Sequence, residues 1–254
     1  MVFGSVANRN YQGDAGNAAS VRINQIGSVT VSDYAGSIST ENVSTGSVDL
    51  AINQKKYFSF FVDDVEKSQT DLAYVDQAMQ RAAFGTAKAV DAYIMSASAL
   101  YGVSGSATGL KASAFIPTGS TSSYNLLVDV GVKLDEQNVP EAGRFCVVPP
   151  WFVGYLVKDS RILTQNPVVQ ANGLVSGVTI NGMQVYKSNQ VQHNSNLWSI
   201  VAGTSQAVAF AGGLNLIESL RSSTAFGDNV RGLYTFGART IQPSGLFVSW
   251  ISQS

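Results

Sequence analysis

Charge is scarce in this chain. Asp, Glu, Lys and Arg make up 13% of its 254 residues, about half the ~25% usual for a soluble domain. Ser, Thr, Asn, Gln and 24 Gly take their place. A weakly charged exterior does little to repel its own copies, so the composition suits self-association; it suits a secreted β-rich protein with a neutral polar surface equally well. The net charge is −1 and the longest basic run is Lys55-Lys56, which argues against tight nucleic-acid binding. Histidine and cysteine occur once each. Cys146 can form no intrachain disulfide, and in the apolar run Arg144 to Val148 it reads as a buried small hydrophobe. His193 sits in the polar stretch Gln192 to Asn196 and reads as a solvated loop residue. One His and one Cys far apart make no zinc or haem spacing, and no G-x-S-x-G elbow is present. No catalytic residue, metal or cofactor is therefore expected. No apolar run approaches the ~18 residues of a membrane span. The stretch Met1 to Asp14 lacks the apolar centre of a secretory leader, so folding in a cytoplasm is expected.

What is present is pattern. The length gives one large domain or two small ones, with ample core. Residues 1–20 are rich in Gly, Asn and Ala without periodicity, as in an arm that needs something to lie on. Val21, Ile23, Val29 and Val31 alternate with polar residues, and Val48, Leu50 and Ile52 do so again before Tyr57 to Val62. This predicts a two-stranded ribbon over about 21–62 with a polar tip. A lone hairpin is marginal in water, so either the body of the chain or a neighbouring subunit must cover its apolar side. The length of the ribbon favours the neighbour.

A capping box at Ser68 to Asp71 opens a helix expected to run to about Leu100, with Leu72, Val75, Met79, Ala83, Ala87, Val90 and Ile94 at helical spacing. At 1.5 Å per residue it would be roughly 45 Å long. Residues 102–122, rich in Gly, Ser and Thr, break the chain at a subdomain junction. Ser123 to Asn138 reads as a second helix, Phe145–Val148 as a strand and Trp151–Val157 as a short helix. Val178–Ile180 and Met183–Tyr186 flank the turn pair Asn181-Gly182. The tail alternates again to Ile251.

Two segments imitate chemistry. Phe58 to Asp64 resembles the acid-tipped strand that holds Mg²⁺ in nucleotide hydrolases, but no G-x-x-x-x-G-K-[ST] loop accompanies it. Gly102 to Gly109 resembles a phosphate cradle but follows a helix and lacks the lysine; a joint is the simpler reading. Asn42-Val43-Ser44 matches a glycosylation acceptor, which is idle without secretion.

Several strings, in order, carry a family resemblance: Ala7 to Gly13, Ser20 to Ile23, Val29 to Tyr34, Phe60 to Glu66, Phe226 to Ala238 and Pro243 to Leu246. Through them nearly the whole chain resembles the major capsid proteins of tailed bacteriophages with the Hong Kong 97-type fold, and among these the P22-coat-like branch. The resemblance implies an α+β fold. Residues 1–20 would be an N-terminal arm, 21–66 an extended β-hairpin loop lying over an adjacent subunit, and 67–120 the spine helix and peripheral domain. Residues 121–215 would form a mixed α/β axial domain, with 216–254 the closing strands. It also implies self-assembly into hexamers and pentamers around double-stranded DNA, met only by weak nonspecific contact. A separate scaffolding protein, a portal and a decoration protein are the implied helpers, with assembly in the host bacterial cytoplasm and residence in the virion. Arg9 and Tyr11 on the arm and Val29, Val31, Tyr34, Val48, Leu50 and Ile52 on the ribbon are the expected subunit contacts. The rival readings are an encapsulin-like nanocompartment shell, a tail-tube subunit (opposed by the long Ala-rich helix) and a cytoplasmic enzyme.

Overall fold

Burial on both faces explains the most apolar strand. In Arg144–Val148 every residue is buried. Phe145 and Val147 point into one apolar cluster, Cys146 and Val148 into another. Such a strand needs layers on both sides, and it reads as a continuous apolar run because of them. The computed structural model of the chain supplies those layers. It describes residues 2–11, 19–26, single positions between 29 and 42, and 45–65. Beyond these it describes 73–100, 112–115, 123–163, 168–169, 174–194 and 197–252.

In chain order the strands are β1 (Ser20–Ile26), β2 (Thr45–Ala51), β3 (Gln54–Asp63), β4 (Ala112–Phe115), β5 (Arg144–Val148), β6 (Val168–Val169) and β7 (Leu174–Ile180). Then follow β8 (Met183–Lys187), β9 (His193–Asn194), β10 (Leu197–Thr204), β11 (Val208–Arg221), β12 (Gly227–Thr240) and β13 (Leu246–Ser252). The largest sheet runs β4-β13-β10-β5-β8-β7-β6, with β9 attached to β10. Helices Ser123–Glu136 and Pro150–Lys158 cover one face through Leu126, Leu127, Val130, Phe152 and Leu156. The other face meets the end of the long helix and the short helix after it, through Val90, Ile94, Ala99 and Leu100, and the inner half of a second, three-stranded sheet, β11-β12-β3. The hairpin β7–β8 turns at Asn181 and Gly182, with φ of 48° and 76°, the left-handed pair that a two-residue turn requires.

Four expectations need correction. The first concerns the ribbon, which ends sooner than its alternation suggests. β1 pairs with β2 from Ser20↔Ala51 to Ile26↔Thr45. β3 leaves it and pairs with β12, because period-two patterning names a strand without naming its partner. Secondly, the long helix is Ala73–Ile94, about 33 Å, and stops at a turn through Met95 and Ser96. A second short helix, Ala97–Leu100, then docks on the core, and the Thr240 hydroxyl donates to the carbonyls of Ala99 and Leu100 at 2.9 and 3.0 Å. The capping box at Ser68 to Asp71 lies outside the described residues.

The third correction concerns the Gly/Ser/Thr-rich stretch, which contributes β4, parallel to β13; the rest of 102–122 is outside the described residues. Lastly, the start of the chain is part of the core. Val2, Val6 and Ala7 are buried, the Val2 N–H donates to the buried Asp91 at 3.2 Å, and Asn8 exchanges backbone bonds with β11.

Gly85 lies mid-helix, and a Cβ there would meet nothing within 4 Å. Gly85→Ala is therefore expected to raise stability by about 1 kcal/mol, by restricting the unfolded chain and improving helix propensity. Urea unfolding of the purified chain, followed by circular dichroism, checks it.

Candidate assembly surface

The three-stranded sheet has an inner and an outer half. In β11, residues 208–212 are buried, and exposure begins near a bulge between Leu214 and Leu216. The Thr235 hydroxyl donates to the Asn215 side-chain carbonyl at the bulge, at 2.6 Å. A bulge bends and twists its strand, and here it marks where the sheet leaves the core.

One face of the sheet packs on the long helix through Phe58, Tyr234, Phe210 and Phe236. An apolar cavity of about 240 Å³ lies between them, lined by Met79, Ala83, Ala87, Leu214, Ile217 and others. The opposite face is divided. Its inner half is covered by the base of the ribbon: Val21, Ile23, Leu50 and Ile52 close over Ala209 and Ala211, with Tyr11 at their side. Arg239 Nη1 donates to the Asp49 carbonyl at 2.8 Å and pins the ribbon there. Among the described residues no element covers the outer half. Tyr57 (81% exposed), Phe61, Leu216, Leu220 and Leu233 stand open to solvent. Between them is a cleft of about 410 Å³, crossed by the Arg231–Glu218 ion pair. An apolar surface of this kind on an otherwise polar chain marks an interaction site.

Gly237 makes the covered half possible. A Cβ there would lie 2.1 Å from the Ala51 carbonyl oxygen. Gly237→Ala is expected to lift the ribbon base and cost about 1–3 kcal/mol of overpacking. Faster amide exchange at residues 48–52, with the rest of the sheet unchanged, is the readout.

The expected contact residues fall into two groups. Val29, Val31 (95% exposed) and Tyr34 face solvent, as does Arg9, while Val48 and Tyr11 are half-buried. Leu50 is fully buried and Ile52 nearly so, both beneath the chain's own strand. Their alternation suggests a surface for a neighbour; the structure uses it for the chain's own fold, because the ribbon base bends back over β11. Arg9 and Tyr11 border a polar groove of about 790 Å³ with Asn8, Asn10, Asn24, Gln206 and Gln242. Sequence reading missed the outer face of the sheet. Its signal was present: Leu214, Leu216, Ile217 and Leu220 put apolar side chains on both sides of one strand.

The imitations resolve structurally. Asp63 Oδ1 accepts the Val65 N–H at 2.7 Å. Asp64 holds Arg221, which also reaches Asp228 at 3.4 Å. Exposed pairs of this kind contribute little to stability, because water screens them. His193 is exposed, with its ring centre 4.8 Å from that of Trp198. Burial pushes the Cys146 thiol up to about 12, so it stays protonated and unreactive. Among the described residues no group of His, Cys, Asp and Glu could hold a metal ion, and no helix is long and apolar enough to cross a membrane.

Solved structures define the class. The chain is similar over 98% of its length to one titled Mycobacterium phage Che8, covering 90% of that chain at 25% identity with a TM-score of 0.72. It is similar to the capsid of Ralstonia phage GP4, with a TM-score of 0.74, 12% identity and coverage of 98% and 87%. A virus-like particle from Pyrococcus furiosus shares the fold, with a TM-score of 0.62, 12% identity and coverage of 98% and 91%. The fold is thus the α+β fold of phage capsid subunits. The family model for phage capsid protein matches residues 47–249; the chain belongs to that family and is a major capsid protein. No curated protein sequence matches it.

Proposed function

We propose that this subunit builds the icosahedral head of a tailed phage in the manner of the Hong Kong 97-type fold, as hexamers and pentamers enclosing double-stranded DNA. The observation that carries this reading is the divided sheet face. The ribbon base is satisfied within the chain, while the ribbon tip and the outer sheet face both leave apolar side chains uncovered. Contacts from one patch to a different patch on the next copy are head-to-tail, the kind of contact that closes into a ring when the rotation between copies is a whole fraction of a turn.

Several further parts belong to this proposal. Residues 1–20, 21–66, 67–120, 121–215 and 216–254 act as arm, extended loop, peripheral domain, axial domain and closing strands. Val29, Val31, Tyr34, Val48, Arg9 and Tyr11 lie at subunit contacts. Assembly takes place in the host bacterial cytoplasm with a separate scaffolding protein, a portal and a decoration protein, and DNA is touched weakly. The role is structural, without catalysis.

The chain expressed with its scaffolding protein should elute in the void volume and show uniform closed particles by negative-stain microscopy. A small soluble oligomer under those conditions would overturn the reading.

A further inference from the structure

We propose that Asn181-Gly182 is a deamidation site that the fold holds closed, by seating the Asn181 carboxamide on helix Ser123–Glu136. An asparagine followed by glycine is open to this reaction, because glycine puts no side chain beside its own nitrogen. The Gly182 nitrogen gives up its proton to solvent and bonds to Cγ of Asn181. The Cγ–Nδ2 bond breaks, and Nδ2 leaves as ammonia with a proton taken back from solvent. Water then opens the five-membered imide at either carbonyl, giving an aspartyl or an isoaspartyl link. Both residues are exposed, and a Cβ on Gly182 would meet only Glu141 Cβ, at 4.0 Å, so solvent has access to the turn.

Three features oppose the attack. Ring closure puts the Gly182 nitrogen in one plane with Cα, Cβ and Cγ of Asn181. That needs a backbone setting far from the left-handed one in which the turn holds Asn181, at φ 48°. The turn cannot relax alone, since Ile180 and Met183 pair across it and are both buried in the core. Next, the side chain is docked. Asn181 Nδ2 donates to Asp135 Oδ2 at 3.2 Å, and the carboxamide lies against the buried Gly131, where a Cβ would collide with it. Asp135 is itself fixed, because Arg144 Nη1 donates to its Oδ1 at 2.6 Å. Lastly, the Asp135 charge lies beside the carboxamide. Negative charge develops on Asn181 Oδ1 as the nitrogen adds, and a neighbouring carboxylate disfavours it.

The product undoes the seat. Either link places a second carboxylate against Asp135, and the isoaspartyl link adds a backbone carbon to a two-residue turn whose length sets the register of β7 on β8. A copy whose turn has opened for long enough therefore cannot close it as before.

Peptide mapping of the full chain by mass spectrometry, after incubation at mildly alkaline pH, follows the mass gain of deamidation at Asn181. Fragmentation separates Asn181 from Asn172, the other asparagine followed by glycine, which lies outside the described residues. The folded chain should react more slowly than the same chain in urea by about tenfold or more, since attack waits on opening of a charge-assisted hydrogen bond and a core-anchored turn. Gly131→Ala displaces the carboxamide and Asp135→Ala removes its acceptor. Each should raise the folded rate by about threefold or more while keeping the wild-type circular dichroism spectrum. If either loses that spectrum, Asp135→Asn replaces it; that variant keeps the shape, removes the charge and should raise the rate by about twofold or more. Equal rates in the folded and the urea-unfolded chain overturn the proposal. Folded variants that react no faster than the wild type also overturn it, by assigning the protection to the turn alone. The readout is one residue of the folded chain and stands apart from whether that chain builds a shell.

Discussion

Phe236→Ala is expected to lower the unfolding free energy of the subunit by about 3–5 kcal/mol, the range for deleting a fully buried aromatic ring. Phe236 is fully buried on β12. The Tyr93 ring of the long helix meets it edge-on at 5.5 Å, Phe210 of β11 lies at 6.3 Å and Tyr234 at 5.7 Å. Removing the ring therefore leaves a cavity at the place where helix and sheet are joined. Phe84→Ala provides the comparison. That side chain is mostly in water, so its loss from the unassembled subunit should change stability by no more than about 0.5 kcal/mol. Denaturant unfolding of both variants measures the contrast. Equal effects would mean that the helix does not rest on the sheet through this ring.

Arg144→Leu should cost about 2–4 kcal/mol, because it strands carbonyl groups that a buried charged donor now satisfies. The Arg144 side chain is 2% exposed and holds Asp135 at 2.6 Å. Its Nε donates to the Pro140 carbonyl at 3.0 Å, and Nη2 donates to that of Val139. One side chain thus ties the end of helix Ser123–Glu136 and the following loop to the start of β5. The same contact carries a pH dependence. The hydrogen bond from Arg144 holds the Asp135 carboxyl below its ordinary 3.8, desolvation opposes this, and the charge of Arg144 and the Asn181 amide add to the lowering. A depressed carboxyl pKa in the folded state contributes stability above the unfolded value, and the contribution is lost as pH falls through the folded value. The melting temperature of the wild type should therefore drop below about pH 4. Asp135→Asn should be less stable than the wild type at pH 7 and should show less of that drop.

Local structure was legible where local rules decide it. Asn181-Gly182 declared its hairpin because few residue pairs accept two positive φ angles. The apolar stripe of Leu126, Leu127, Val130 and Leu134 marked its helix, and Arg144–Val148 showed its double burial as an unbroken apolar run. Pairing over long distances was not legible. β3 alternates like a continuation of the ribbon, and only β12, some 170 residues later in the sequence, determines where it goes. The start of the chain lacks periodicity, yet Val2 and Val6 fill space beside Val90 and Ile94; a single helical turn is too short to show a period. The exposed contact residues of the ribbon were legible as an apolar minority in a polar segment. Leu50 and Ile52 carried the same signature, and only their cover, Ala209 and Ala211, sets them apart. Small residues that admit a neighbour look alike whether the neighbour is the same chain or another.

The position of β13 sets when the edge of the largest sheet can close. Residues 246–252 are hydrogen-bonded to β10 on one side and β4 on the other, in the interior of the largest sheet. Until β13 is in place, β4 has no strand to join, because β13 alone links it to β10 in that sheet. Such distant pairings close late and slowly.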